Sequence, residues 1–301
     1  MQEHQNWGAE ALWQDLEPLL PGLSIEVLAR AESTNATLVE RVRRDGAAAA
    51  GASAPAGREA REPRDGQRPY GRRQHDLHPC LLIAEHQTHG RGRQGRSWHS
   101  TAGASLTFSL SLPMNVPDWS GLSLVVGAAI AEALDPEGKR LKLKWPNDLW
   151  LDDRKLGGIL IETVPAGASR MAVVGVGVNV SDRARVADSQ LNTGFACLQE
   201  LIPDVTPPQA LARLAPALVK ALADFPREGF GVWRERFTAR DLLTGQSVTA
   251  GPLEGVAAGV NERGELQIDT ASGRQTVSGG EVSVRLAGPG ASSGSTGSAG
   301  R

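Results

Sequence analysis

The chain has 301 residues, about two domains at roughly 150 residues each. Its 32 Lys and Arg against 34 Asp and Glu leave a net charge of -2, which excludes a globally basic nucleic-acid binder but not a local basic patch. A hydrophobic share of 40% supports a real core, and two cysteines far apart in sequence, Cys80 and Cys197, argue against a disulfide scaffold or a Cys-rich zinc site.

The opening MQEHQNWGAE has neither a basic nor an apolar stretch of the signal-peptide kind. Leu12, Leu16, Leu19 and Leu20 share one helical face, which Pro21-Gly22 stops, and residues 23–28 read as a short strand. Ser33 or Thr34 then caps a helix running through Leu38, Val39 and Val42. Residues 46–76 contain no Val, Ile, Leu, Phe, Met or Trp. Such a stretch cannot offset about 1–2 kcal/mol of ordering entropy per residue, so it is expected to be a disordered insert. Its six arginines also admit a nucleic-acid-binding arm, a signal diluted by Glu59, Glu62, Asp65 and Asp76.

Strands dominate residues 81–180. Residues 81–84 form a short apolar strand, and 105–112 alternate apolar with hydroxyl side chains, as a half-buried strand does. Residues 122–134 read as a helix of small and apolar residues. The apolar run inside it is about half the length of a membrane span, so the protein is expected to be cytoplasmic with no membrane partner. Residues 141–145 alternate strictly up to Pro146, carrying a lysine outward. Strands 149–151 and 155–163 flank a turn at Asp152-Asp153-Arg154, and a glycine-dotted strand covers 171–180. Residues 207–239 are helical, with Leu211, Leu214, Leu218 and Leu222 on one stripe. Adjacent strands mixed with helices predict an α+β fold rather than a regular βαβ alternation. Short strands between Gly-rich turns over 240–287 predict a small β-barrel, and 288–301 is a low-complexity tail expected to be disordered. The expected domains are therefore 1–239 and 240–287.

Four local features carry chemistry. In Gly90-Arg91-Gly92-Arg93-Gln94-Gly95-Arg96, glycines let the backbone approach a ligand and arginines offer planar forks to phosphate or carboxylate. The same run also suits an exposed loop or an RNA-binding tract, and it lacks the Gly-Lys-Ser/Thr of a P-loop. Lys144-Trp145-Pro146-Asn147-Asp148 sets an amide and a carboxylate at a strand end, where they suit a ribose or a cation, or else an ordinary turn. In Arg154-Lys155-Leu156-Gly157-Gly158-Ile159-Leu160, the glycines weaken a strand beside a lysine, so either something needs the space or a bulge lies there. Gly175-Val176-Gly177-Val178-Asn179 lacks the further glycine and helix of a dinucleotide fingerprint.

In this order and spacing, with Ser33-Thr34-Asn35 before them, the four features closely resemble the biotin protein ligases. Gly279-Gly280-Glu281-Val282-Ser283-Val284-Arg285 resembles the ending of their small barrel domain. The resemblance implies a catalytic domain related to class II aminoacyl-tRNA synthetases followed by an SH3-like barrel. It implies that biotin and ATP, with Mg²⁺, give biotinyl-5'-AMP, from which a lysine of a biotin carboxyl carrier protein takes the biotinyl group. By the match, Ser33, Thr34, Asn35, Gln87, Arg91, Gly92 and Arg93 meet biotin. Lys155 meets its carboxylate and the α-phosphate, and Arg93 and Lys155 are the catalytic pair. Arg96, Trp98, Asn147, Asp148, Asn179 and Arg285 lie on the nucleotide side, Trp98 near the adenine. The metal ligands are not implied. The chain departs from many bacterial relatives in having only about 22 residues before its first strand, too few for their winged helix-turn-helix, so no DNA partner is expected. It also has Gly157 where relatives often carry alanine. A lipoate–protein ligase, which shares the fold and the adenylate chemistry, and an Arg/Gly-rich RNA-binding protein are the competing readings.

Overall fold

The computed structural model describes residues 5–51, 77–184, 194–279 and 284–286. Helix α1 (Ala9–Leu16) buries Leu12 and Leu16 but ends there, so Leu19 lies 37% exposed instead of extending the apolar face. Strand β1 (Ser24–Leu28) follows, and then helix α2 (Thr34–Gly51). Ser33 caps α2: its Oγ accepts from the backbone N of Ala36 at 3.3 Å. The helix runs on to Gly51, so the disordered insert expected from 46 does not begin there. Alanine is the best helix former, and the Ala-rich run carries the helix on. Residues 52–76 and the 288–301 tail lie outside the described residues.

Strand β2 (Cys80–Ala84) is followed by a small hairpin of β3 (Gly90–Arg91) and β4 (Ser97–Trp98), and then by β5 (Ser105–Pro113). Helix α3 (Leu122–Leu134) matches its expected bounds. Next come β6 (Leu141–Lys144), β7 (Asp148–Leu151), β8 (Arg154–Ala166) and β9 (Ser169–Asn179). One seven-stranded sheet takes the order β1-β2-β5-β9-β8-β7-β6, in which β1 and β2 run parallel and the other neighbours antiparallel. The β7–β8 turn uses Asp152 and Asp153 at φ 46° and 60°, the two left-handed residues of a tight hairpin.

Both faces of the sheet are covered. Helix α2 packs on one face, over β8, β5 and β9, with Leu38, Val39 and Val42 against Leu82 and Val173. Helices α3 and α4 (Pro207–Glu228) take the other. The Leu211, Leu214, Leu218 and Leu222 stripe of α4 is fully buried there. This corrects the expectation for β5. It alternates as read, but its hydroxyl face is not solvated: Ser105, Thr107, Ser109 and Ser111 are all buried. Burying a hydroxyl is costly unless it is hydrogen-bonded. Thr107 Oγ1 donates to Ala84 O at 2.8 Å, and Ser109 joins the cluster described below.

Helix α4 is followed by the short helix α5 (Arg234–Thr238). Strands β10 (Ser247–Ala250), β11 (Leu253–Val260), β12 (Leu266–Thr270), β13 (Gly273–Val277) and β14 (Val284–Leu286) make a five-stranded antiparallel sheet in the order β13-β12-β11-β10-β14. The large sheet docks on it through Trp145, whose Nε1 donates to Gly264 O at 3.0 Å.

Candidate active site

The N-terminus of α2 meets the middles of β5, β8 and β9, at Ser109, Leu160 and Gly175. Thr34 N donates to Gln87 Oε1 at 2.7 Å, and Thr34 Oγ1 lies 3.2 Å from the same oxygen. Ser109 Oγ stands 2.7 Å from Thr34 Oγ1 and 2.6 Å from Asn35 Oδ1. Asn35 Nδ2 donates to Leu160 O at 3.2 Å and to Glu162 Oε2 at 3.0 Å. Gly175 makes this packing feasible, because a Cβ there would overlap the Asn35 amide. Gly177 does the same for the indole of Trp98. The Gly175-x-Gly177 pair is thus required by close approach of two side chains, not by a phosphate turn.

The Arg-Gly run is not an extended loop. Pairing of β3 with β4 closes it, and Gln94 and Gly95 turn the chain at φ 58° and 69°. This hairpin is invisible in the sequence, because its strands are two residues long. Arg93 projects from it: Nη1 donates to Asn147 Oδ1 at 3.3 Å and Nη2 to Gly279 O, in the small domain, at 2.7 Å. Burial pulls the Arg93 guanidinium below its ordinary value; Asp148 opposes that and Arg96 adds to it.

Across the cavity, β8 bulges at Leu156: Lys155 pairs with Trp150 while Gly157 pairs with Leu149. The bulge expected beside Lys155 is therefore present together with a used space, since Lys155 Nζ binds Asp148 Oδ1 at 2.9 Å. Asn147 is pinned through Nδ2 to Ile159 O at 2.6 Å. Asn179 Nδ2 donates to Ala196 O at 3.2 Å.

The side chains expected to bind ligands line one cavity of about 950 Å³. Ser33, Thr34, Asn35 and Gln87 stand at one end, Arg91, Gly92, Arg93, Arg96 and Trp98 come from the hairpin, and Asn147, Asp148, Lys155, Asn179 and Arg285 complete the wall. Arg93 and Lys155 share this space, as the chemistry inferred for them requires.

Sequence reasoning missed Ser109 and misplaced Lys144. The alternation of β6 predicts a lysine carried outward, yet Lys144 is only 8% exposed, its Nζ 4.7 Å from the centre of the Trp150 ring. Desolvation lowers its pKa, Asp148 opposes, and Lys155, Arg96 and Arg285 lower it further. A depressed lysine pKa opposes folding while the amine is charged, and that penalty fades as pH rises through the folded-state value towards 10.5. Lys144→Met should therefore raise the unfolding midpoint by about 2–4 °C at neutral pH, with the gain shrinking in alkaline buffer. Calorimetry across pH checks it, and a lower midpoint at neutral pH would contradict it.

A two-sided mixed sheet thus carries a cation-lined cavity beside a small antiparallel domain. Residues 72–179 match the Biotin/lipoate A/B protein ligase family, and residues 244–285 match the Biotin protein ligase C terminal domain. The chain is 31% identical to the biotin--[acetyl-CoA-carboxylase] ligase of Mycobacterium tuberculosis, over 69% of this chain and 79% of that protein. It therefore belongs to the biotin protein ligase family. It is 38% identical to the bifunctional ligase/repressor BirA of Escherichia coli over 68% of this chain, and the match spans 66% of that relative's length. Among solved structures, a biotin protein ligase from Aquifex aeolicus in complex with biotin and ATP superposes with a TM-score of 0.66 at 25% identity, covering 88% of this chain and 99% of that one.

Proposed function

We propose that this chain joins biotin to ATP and passes the biotinyl group to a lysine of a biotin carboxyl carrier protein. In the first step a carboxylate oxygen of biotin attacks the α-phosphorus, the P–O bond to pyrophosphate breaks, and biotinyl-5'-AMP forms. In the second the lysine amine attacks the acyl carbon, loses a proton, and AMP leaves. The observation that carries this reading is the meeting of Arg93 and Lys155 in one cavity beside the Thr34–Gln87 cluster. Two anions repel, and fixed cations at the reacting centre relieve that repulsion without a protein nucleophile.

Lys155 is assigned to the carboxylate and α-phosphate and Arg93 to the same centre. Arg96, Trp98, Asn147, Asp148, Asn179 and Arg285 are assigned to the nucleotide. Ser33, Thr34, Asn35, Gln87, Arg91 and Gly92 are assigned to the biotin end. Among the described residues no group of three or more His, Cys, Asp or Glu gathers as a metal cage. Of the cavity's carboxylates, Asp148 and Asp153, Asp148 beside Lys155 suits Mg²⁺, which is commonly held by one carboxylate together with substrate phosphates. When bound, that ion would neutralise phosphate charge.

Biotin is favoured over lipoate by one observation. The atom of the Gln87 amide facing Thr34 N–H must be its oxygen, so the NH₂ is left for the cavity. A ureido carbonyl accepts such donors, whereas a dithiolane sulfur is a weak acceptor. The RNA-binding reading loses its footing once the Arg-Gly run is a cavity-lining hairpin. Among the described residues no helix is long and apolar enough to cross a membrane, and the reading implies a cytoplasmic enzyme.

The deciding experiment is mass spectrometry of a biotin-carrier domain incubated with this protein, biotin and MgATP. A gain of one biotinyl group on one lysine is expected; gain with lipoate and not biotin would reverse the ranking. Because Arg93 ties the hairpin to Asn147 and Gly279, Arg93→Ala should loosen the cover over the adenylate. AMP release without acceptor should then rise relative to transfer, by about tenfold for two lost hydrogen bonds. An unchanged ratio of release to transfer would remove Arg93 from that duty.

A further inference from the structure

We propose that Arg154 is a positioning residue for the nucleotide: with Glu200 it fixes residues 195–197 as the wall that closes the cavity beyond Lys155. This rests on the functional reading above and adds to it two residues that have no duty there.

Strand register locates that wall. Along β8 and β9, Leu160 pairs with Gly175 beside Asn35, and Gly158 pairs with Gly177 under Trp98. The pairing ends at Gly157 and Val178, before β8 reaches Lys155. There residues 195–197 take the place of β9. Phe195 bridges Lys155, and Ala196 N donates to Lys155 O at 3.0 Å. Ala196 O accepts from Asn179 Nδ2 at 3.2 Å. Phe195 therefore lines the cavity at the end away from Asn35, next to Asn179, which is assigned to the nucleotide.

An isolated bridge lacks the neighbouring pairs of a ladder, and Arg154 adds to its hold. Arg154 precedes Lys155 and turns away from the cavity, as alternation along a strand requires. Its guanidinium forks: Nη1 donates to Phe195 O at 3.0 Å, and Nη2 donates to Glu200 Oε2 at 2.6 Å. Glu200 Oε1 in turn accepts from Cys197 N at 3.0 Å. One arginine and one carboxylate thus grip the segment on both sides of Ala196. A planar fork suits that double duty, and the point charge of a lysine does not. Gly194 completes the fit: its φ is 71°, and a Cβ there would stand 3.0 Å from Arg154 Cγ. The ion pair is partly exposed, at 37% and 29%, so it contributes little to stability. What it contributes is the place of Phe195.

The test is exchange kinetics together with calorimetric titration of the intact protein. Arg154→Met keeps the apolar stem and removes the donors. It should raise KM for ATP about tenfold, the loss of one hydrogen bond from a charged donor. Little change is expected in kcat, because Trp150 still pairs with Lys155 on its other edge. Biotin affinity without ATP should also stay near wild type, since the Asn35 end is untouched. Glu200→Ala should match Arg154→Met, and the double variant should be no worse than the poorer single, because both act through one grip. Glu200→Gln keeps an oxygen for Cys197 N and for Arg154, so it should retain most of the wild-type affinity for ATP and guards against a folding defect in the other variants. An unchanged KM for ATP in Arg154→Met, an equal loss of biotin affinity, or additive losses in the double variant would each overturn the proposal. Wild-type protein with no biotin-dependent exchange would instead overturn the functional reading beneath it.

Discussion

Lys155→Ala should lower biotin-dependent ATP–pyrophosphate exchange by about 10³-fold while the protein stays folded. The ammonium sits on the Leu156 bulge, 2.9 Å from Asp148 Oδ1, inside the cavity it shares with Arg93. Without it, a carboxylate approaching a polyphosphate loses a fixed charge where negative charge is concentrated. The fold should tolerate the change: the lysine side chain is 29% exposed, and ion pairs of that kind contribute little to stability. Pyrophosphate exchange and circular dichroism measured together separate the two effects. Exchange at the wild-type rate would mean that Lys155 is not at the reaction centre, and the electrostatic account would fall with it.

Gly177→Val should be nearly as damaging, for a steric reason. Even a single added carbon at 177 would overlap the Trp98 indole, and valine adds three. Strand β9 is held on both sides by β5 and β8, so the indole must give way. If Trp98 supports the adenine, KM for ATP should rise by about 10²-fold, with about 1–3 kcal/mol of overpacking strain on the fold. Trp98→Ala in the same background should then cost little more, since the platform is already lost. Normal ATP use by Gly177→Val would detach Trp98 from nucleotide binding.

These two residues show what was legible in advance. Lys155 is readable because a lysine beside paired glycines at a strand start is locally odd, and the company of the Arg-Gly and Trp-Pro-Asn-Asp runs gives that oddity meaning. Gly177 is less so: a G-x-G on a strand is common, and nothing local says that an indole from a hairpin about eighty positions earlier fills the gap. Lys144 misleads outright. Alternation in Leu141-Lys142-Leu143-Lys144 says only that the lysines share a face, and that face is covered by Trp150. Ser109 has the same problem, since Ser and Thr alternating with Leu and Phe describe a wet face and a hydrogen-bonded buried one equally well.

From its order of residues alone, this chain declares an α+β region, a small β domain and a set of cationic and amide groups suited to anions; that they join a carboxylate to a nucleotide is what the resemblance of the motifs to biotin protein ligases implies. Periodicity and motif chemistry are local properties, and they survive reading in one dimension. Which face of β5 is dry, whether Lys144 points out or in, and that Thr34, Asn35 and Ser109 meet in one buried cluster were settled only when helix α2 lay across the sheet. Burial and hydrogen-bond direction belong to the partners a residue meets, and those come from distant parts of the chain.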